Sequence, residues 1–175
     1  MMGRFKLIRQ TKGAAAAELA LVTPLLLTLL FGGVELGNYF RDEHALVKQV
    51  RDGARYASRM PLEDNYPCPG TVDPAAQTAV ANVIKTSTVD GTGTDGRFDS
   101  NYWTRTCSGT PGTVTVTIRC VDKADYSGIY SELAGDIPVV KVSAALKYRS
   151  VLDRLGIADP DLCIKAESEI PAVGS

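Results

Sequence analysis

The chain is poor in the groups from which most active sites are built. It has one histidine (His44), one tryptophan and four cysteines. The cysteines, Cys68, Cys107, Cys120 and Cys163, form no CxxC pair and lie far from His44, so the close ligand pairs of a tetrahedral zinc site are missing. GxSxG, HExxH and paired-acid signatures are also missing, and His44 has no nucleophile near it in sequence. The expectation is therefore a non-enzyme, with no catalytic residue, metal or cofactor. A formal net charge of −1 removes any electrostatic argument for nucleic acid or an acidic substrate. No internal repeat or low-complexity tract is present. The stretch from Asp90 to Gly96 looks like a ligand loop. However, it lacks both the Gly-Lys-Ser/Thr ending of a phosphate loop and the alternating acids of a helix-loop-helix calcium site, and it reads as a solvated turn.

What is present is concentrated near the N-terminus. Met1–Gly13 carries Arg4, Lys6, Arg9 and Lys12 and no acid, and from Ala14 to Val34 the only charge is Glu18. These roughly 21 residues, at ~1.5 Å each, make a helix of ~31 Å, enough to cross a hydrocarbon core of ~30 Å. The basic residues should stay cytoplasmic and send the C-terminal part outward. That puts all four cysteines in an oxidising space and points to two disulfides, with three pairings open. A cleaved secretory signal has a shorter apolar core that ends at a small-x-small site. Here the run is longer and the small residues precede it. An uncleaved signal anchor remains the alternative.

Glu18 sits about one turn after Ala14. A carboxylate deep in a membrane helix costs about 2.5–3.5 kcal/mol and is usually functional. If the chain were cut after Gly13, the new amino group of Ala14 would be a cation. Glu18 of a neighbouring copy or partner subunit could neutralise it more easily than Glu18 of the same chain. The bland alternative is Glu18 snorkelling to the headgroups. A short basic leader, Gly13, and Glu18 five residues on resemble the prepilin peptidase site of type IV pilin-like proteins. With Glu35-Leu36-Gly37 and Arg51-Asp-Gly-Ala-Arg-Tyr-Ala57, the segment resembles the TadE-like family of tight-adherence (type IVc) pilus assembly proteins over roughly residues 10–60. Ala14 stands where ordinary pilins carry an aromatic residue. The tail is also larger than the very short major subunit of such pili, which points to a minor pseudopilin. The resemblance implies cleavage between Gly13 and Ala14 by a membrane aspartic prepilin peptidase, with Glu18 serving assembly and recognition. It further implies pilin-like partner subunits and a single pass through the bacterial inner membrane, with the C-terminal domain periplasmic or extracellular.

Beyond the membrane the helix should continue. Leu36, Tyr39/Phe40, Glu43, Val47, Val50, Ala54 and Ala57 form a helical stripe, read as the core face, while Arg41, Asp42, Lys48, Arg51 and Arg55 lie on other faces. Pro61 places the end near Arg59. Pro24, Gly32-Gly33 and Gly37 interrupt the helix, and Gly33-x-x-x-Gly37 would permit close helix approach. Asp73 and Pro74 open a second helix whose inner side is Ala76, Ala79, Val80, Val83 and Ile84. Alternation marks three half-buried strands, with inner residues Val114–Cys120, Val140–Tyr148 and Ile164–Ile170. A short helical piece is expected around Ser127–Ala134, and Ser150 should cap a single turn at Val151–Leu155. The fold expected is α+β: a long N-terminal helix leading into a small domain with a three-stranded antiparallel sheet. The divisions are a leader at 1–13, a helix at 14–60 and a domain at 61–175. Rival readings are a permanently anchored scaffold or binding domain and, behind it, a membrane-tethered enzyme.

Overall fold

One helix of 48 residues, α1 (Thr11–Ser58), carries the rest of the chain on its C-terminal half. The computed structural model describes residues 11–94, 96–107, 109–125, 128, 130, 135–156 and 161–174. Residues 1–10 of the expected basic leader 1–13 and most of the helical piece expected at Ser127–Ala134 lie outside the described residues. At ~1.5 Å per residue α1 is about 72 Å long. It stops where the sequence requires, because Met60 precedes Pro61 and cannot stay helical. The last turn tightens, with the N–H groups of Arg59 and Met60 donating to Tyr56 O (3.1 Å) and Ala57 O (3.2 Å).

A one-turn helix, α2 (Leu62–Asn65), leads to α3 (Pro74–Thr86). Asp73 Oδ1 accepts from Ala75 N (2.8 Å) and Ala76 N (3.1 Å), and Pro74 begins the first turn without needing a donor. Ala76, Val80 and Ile84 are buried on its inner side, with Ala79 and Val83 half-buried beside them. A short α4 (Ser100–Thr104) and a two-residue hairpin, β1 (Thr106–Cys107) with β2 (Thr110–Pro111), follow.

The main sheet is β3 (Thr113–Val121), β4 (Ile137–Lys147) and β5 (Cys163–Pro171), all antiparallel, with β4 central. Thr113 pairs with Ala145 and Val121 with Ile137, while Val139 pairs with Pro171 and Lys147 with Cys163. Alternation appears as expected. Val140, Val142, Ala144 and Leu146 are buried, and Lys141, Ser143, Ala145 and Lys147 are half-buried between them. Helices α1 and α3 cover the apolar face, and Leu46, Val50, Ala54 and Ala57 of α1 share one core with Val80, Ile84, Val140, Val142, Leu146 and Ile164. The α+β expectation holds.

The buried face of α1 differs from the expected stripe at its upstream end. Val50, Ala54 and Ala57 are buried, but Leu36 and Phe40 are exposed, and the contact line runs through Asp42 and Leu46. Asp42, expected on an outer face, is only 1% exposed. Steps of three and four from Val50 lead back equally to Val47 and Leu46, and tertiary packing selects Leu46. Arg97, 55 residues later, supplies the partner that lets the line end in a carboxylate.

Candidate assembly helix and its anchor

The two halves of α1 have opposite environments. From Gly13 to Val34 every side chain except Thr23 is exposed, including Leu19, Leu21, Leu25, Leu26, Leu29, Leu30 and Phe31. Among the described residues this is the one helix long and apolar enough to cross a membrane. Gly13 and Ala14 lie on the free helix, and a Cβ added at Gly13 would meet nothing within 4 Å. Glu18 is exposed on the same free half, so the residues of the proposed processing site are reachable from outside the fold. Thr23 and Thr28 turn their hydroxyls back onto Leu19 O (2.6 Å) and Pro24 O (2.8 Å), which hides polar groups from the surroundings. Gly32, Gly33 and Gly37 leave an open face.

The change of environment falls at Glu35, the first residue after the apolar run. Its carboxylate accepts from Val151 N (3.0 Å) and Leu152 N (3.3 Å), at the start of a 3-10 turn (Leu152–Leu155). Ser150 Oγ accepts from Leu152 N (3.0 Å) and Asp153 N (3.1 Å), the cap expected of it. Tyr148 closes the clasp, donating to the Glu35 carbonyl (3.2 Å) and accepting from Asn38 Nδ2 (2.9 Å). Burial pushes the Glu35 carboxyl up. Hydrogen bonding from Ser150, Tyr148, Val151 and Leu152 outweighs this, so the group lies below its ordinary value. Burial, with the nearby charges of Glu35 and Asp42, pushes the Tyr148 phenol up to about 12, so it remains a donor.

Two further contacts fix the packed half. Arg97 Nη2 lies 2.9 Å from Asp42 Oδ1, with Arg41 Nε at 3.7 Å. The loop that delivers Arg97 is the glycine-rich stretch after Asp90. A Cβ at Gly93 would collide with the Thr86 carbonyl, and one at Gly96 with the Lys85 carbonyl, so these glycines let the loop fold against the end of α3. Asp90 is held by Thr92, through its N–H (3.2 Å) and hydroxyl (2.8 Å). Further along α1, a Cβ at Gly53 would collide with Ile84, so Gly53 lets α1 and α3 approach closely there.

The cysteines pair as Cys68–Cys120 and Cys107–Cys163. The first ties the loop after α2 to the end of β3, and the second ties β1 to the start of β5. His44 is exposed on α1. The wider clefts, of about 390, 440 and 550 Å³, are lined by other residues.

The deciding likeness is in the helix itself, where the family model for TadE-like protein matches residues 13–55. Over those residues α1 is similar to TadE-like protein. The match runs from Gly13 to Arg55 and takes in Glu18, Glu35, Asp42 and Gly53, spanning both the free and the packed half. The likeness is confined to this helix, about a quarter of the chain. No curated protein and no solved structure matches the chain. Sequence reasoning anticipated two disulfides among the four cysteines but missed the Glu35 clasp and the Asp42–Arg97 pair. For Asp42 a signal existed: Asp42, Leu46, Val50 and Ala54 fall at exact four-residue steps.

Proposed function

We propose that the chain is a minor pseudopilin, a pilus biogenesis protein that works by assembly rather than catalysis. A prepilin peptidase cuts between Gly13 and Ala14, removing the basic leader 1–13. The helix 14–60 then packs with pilin-like helices, and the domain 61–175 contacts neighbouring subunits outside the cytoplasm. The observation that carries this reading is the free apolar half of a TadE-like helix, which has Gly13 and Glu18 exposed at its head. The four basic leader residues support an N-terminus on the cytoplasmic side. Two disulfides in the domain support an oxidising location, periplasmic or extracellular, beyond a bacterial inner membrane.

Glu18 serves the assembled state. Its carboxylate would pair with the amino group of Ala14 on an adjacent subunit, where low dielectric makes the attraction strong. The decisive measurement is the mature mass in cells with an active prepilin peptidase. Loss of Met1–Gly13 is expected, and an intact leader would leave a permanently anchored scaffold as the better description. Glu18→Ala should insert into the membrane normally and fail to enter the pilus machinery. Normal piliation with that variant would remove Glu18 from the mechanism.

A further inference from the structure

We propose that the end of the domain nearest the apolar helix is a lipid-binding surface for the phosphate headgroups of anionic phospholipid in the same bilayer. The proposal rests on the reading that Ala14–Val34 spans that bilayer. The geometry leaves no stalk between helix and domain. Glu35 directly follows Val34, and its carboxylate holds the N–H groups of Val151 (3.0 Å) and Leu152 (3.3 Å). The polar layer on each side of the hydrocarbon core is about 5–8 Å thick, and a helix rises ~1.5 Å per residue. The loop 148–152 is therefore inside the headgroup layer whenever the helix spans.

The residues there suit that layer. Val151 is 50% exposed although it is apolar. Tyr39 packs on Tyr148 with ring centroids 5.3 Å apart, and the Arg149 guanidinium lies 6.0 Å from the Tyr102 ring, giving the aromatic and basic mixture typical of a membrane interface. Two shallow clefts share Ser150. One, of about 230 Å³, is lined by Asn38, Tyr102, Arg149, Ser150 and Val151. The other, of about 440 Å³, is lined in part by Arg105, Lys147, Tyr148 and Ser150. The acids nearby are largely engaged: Glu35 by the 151–152 backbone, Asp42 by Arg97, and Asp161 by Lys147 at 3.4 Å, while Asp153 also lines the second cleft. Arg105 and Arg149 are exposed and form no ion pair among the described residues, so their charge is available to a phosphate.

The test uses the full chain in nanodiscs of phosphatidylcholine with phosphatidylglycerol. Photoreactive benzoylphenylalanine replaces Leu26, Val151 or Val173 in turn. Val173 is the control at the far end of the domain, 51% exposed and bonded to Ser58 O (2.7 Å). Lipid adducts are expected at 26 and 151 and not at 173. Arg105→Glu with Arg149→Glu should lower the phosphatidylglycerol adduct at 151 roughly tenfold while leaving that at 26 unchanged. An adduct at 26 with none at 151, or equal adducts at 151 and 173, would overturn the surface. An unchanged adduct at 151 in the charge-reversed variant would overturn the anionic-headgroup assignment. Failure at 26 would overturn the spanning helix itself.

Discussion

Removing Arg97 should destabilise the domain more than removing the charge it neutralises. Asp42 lies on the core line of α1 with its side chain 2% exposed, whereas the Arg97 side chain is 44% exposed. Arg97→Ala strands a carboxylate that has little access to water and whose other cation, Arg41, is 3.7 Å away and largely solvated. Breaking a fully buried pair from one side costs about 3–5 kcal/mol, and an exposed pair is worth about 0–1 kcal/mol. With one partner buried and the other half-exposed, about 2–3 kcal/mol is expected. Asp42→Asn keeps the shape and frees Arg97 to turn into water, so its cost should be about 1 kcal/mol.

For a domain of this size 1 kcal/mol corresponds to about 3–6 °C in Tm. The expected drops are thus about 6–18 °C for Arg97→Ala and about 3–6 °C for Asp42→Asn. Fluorescence of the buried Trp103 in the full chain, held in one detergent or nanodisc, reports the transition. The double variant carries the sharper test. Once the stranded charge is gone, Asp42→Asn/Arg97→Ala should melt higher than Arg97→Ala alone. A single Arg97→Ala that melts no lower than Asp42→Asn, or a double variant with no recovery, would refute the argument that burial of Asp42 dominates.

Glu35→Gln should loosen the 148–152 loop at a cost of about 1–2 kcal/mol, read as faster amide exchange at Val151 and Leu152. Because the folded-state pKa of Glu35 is below its ordinary 4.5, its contribution is full above that value. It is lost as the pH falls through 4.5 towards the folded value, so the gap between wild type and variant should close on acidification, and a constant gap would count against the clasp. At Gly53, alanine gains about 1 kcal/mol in helix propensity but meets Ile84, and overpacking costs about 1–3 kcal/mol. Gly53→Val should therefore lower Tm clearly, and a stabilised Gly53→Ala variant would show that the α1–α3 contact is looser than described. Proteolytic mapping without reductant should recover Cys68–Cys120 and Cys107–Cys163 peptides. Each bond closes a loop of more than fifty residues, so Cys107→Ser/Cys163→Ser should cost about 2–4 kcal/mol, and any other pairing would contradict the fold.

Much of this architecture was legible in the sequence because it is local. Val140, Val142, Ala144 and Leu146 alternate strictly with polar or small neighbours. Asp73-Pro74 announces a helix start, and Pro61 forces a helix end. What was hidden depends on residues far apart in the chain. Asp42 is a surface residue by charge and a core residue by position, and only Arg97 resolves the conflict. The disulfide pairing depends on which loops share an end of the sheet, information that four isolated cysteines do not carry. The loop from Asp90 to Gly96 looked like a ligand cradle without the right terminal residues. Its glycines instead serve close approach to Lys85 and Thr86, a backbone contact that leaves no signature in spacing. Leu36 and Phe40 continued the apolar stripe in sequence but lie outward, because the sheet and α3 cover a line one residue away.

The division of α1 at Glu35 bears on why the upstream glutamate is where it is. Covering one exposed leucine is worth about 1.5–3 kcal/mol, so Leu19, Leu21, Leu25, Leu26, Leu29 and Leu30 cannot stay in water without strong bias towards lipid or other helices. Lipid and a neighbouring helix satisfy those leucines almost equally and do not distinguish a dispersed protein from an assembled one. Glu18 does distinguish them. In lipid alone a carboxylate on this segment is a cost, and beside the amino group that the proposed cleavage after Gly13 would create on a neighbouring copy the cost would be offset. The other anchoring carboxylates, Glu35 and Asp42, are already satisfied within the chain, by the 151–152 backbone and by Arg97. On a helix whose apolar residues are indifferent to assembly, the proposed cleavage after Gly13 would leave Glu18 as the residue that makes assembly conditional on processing.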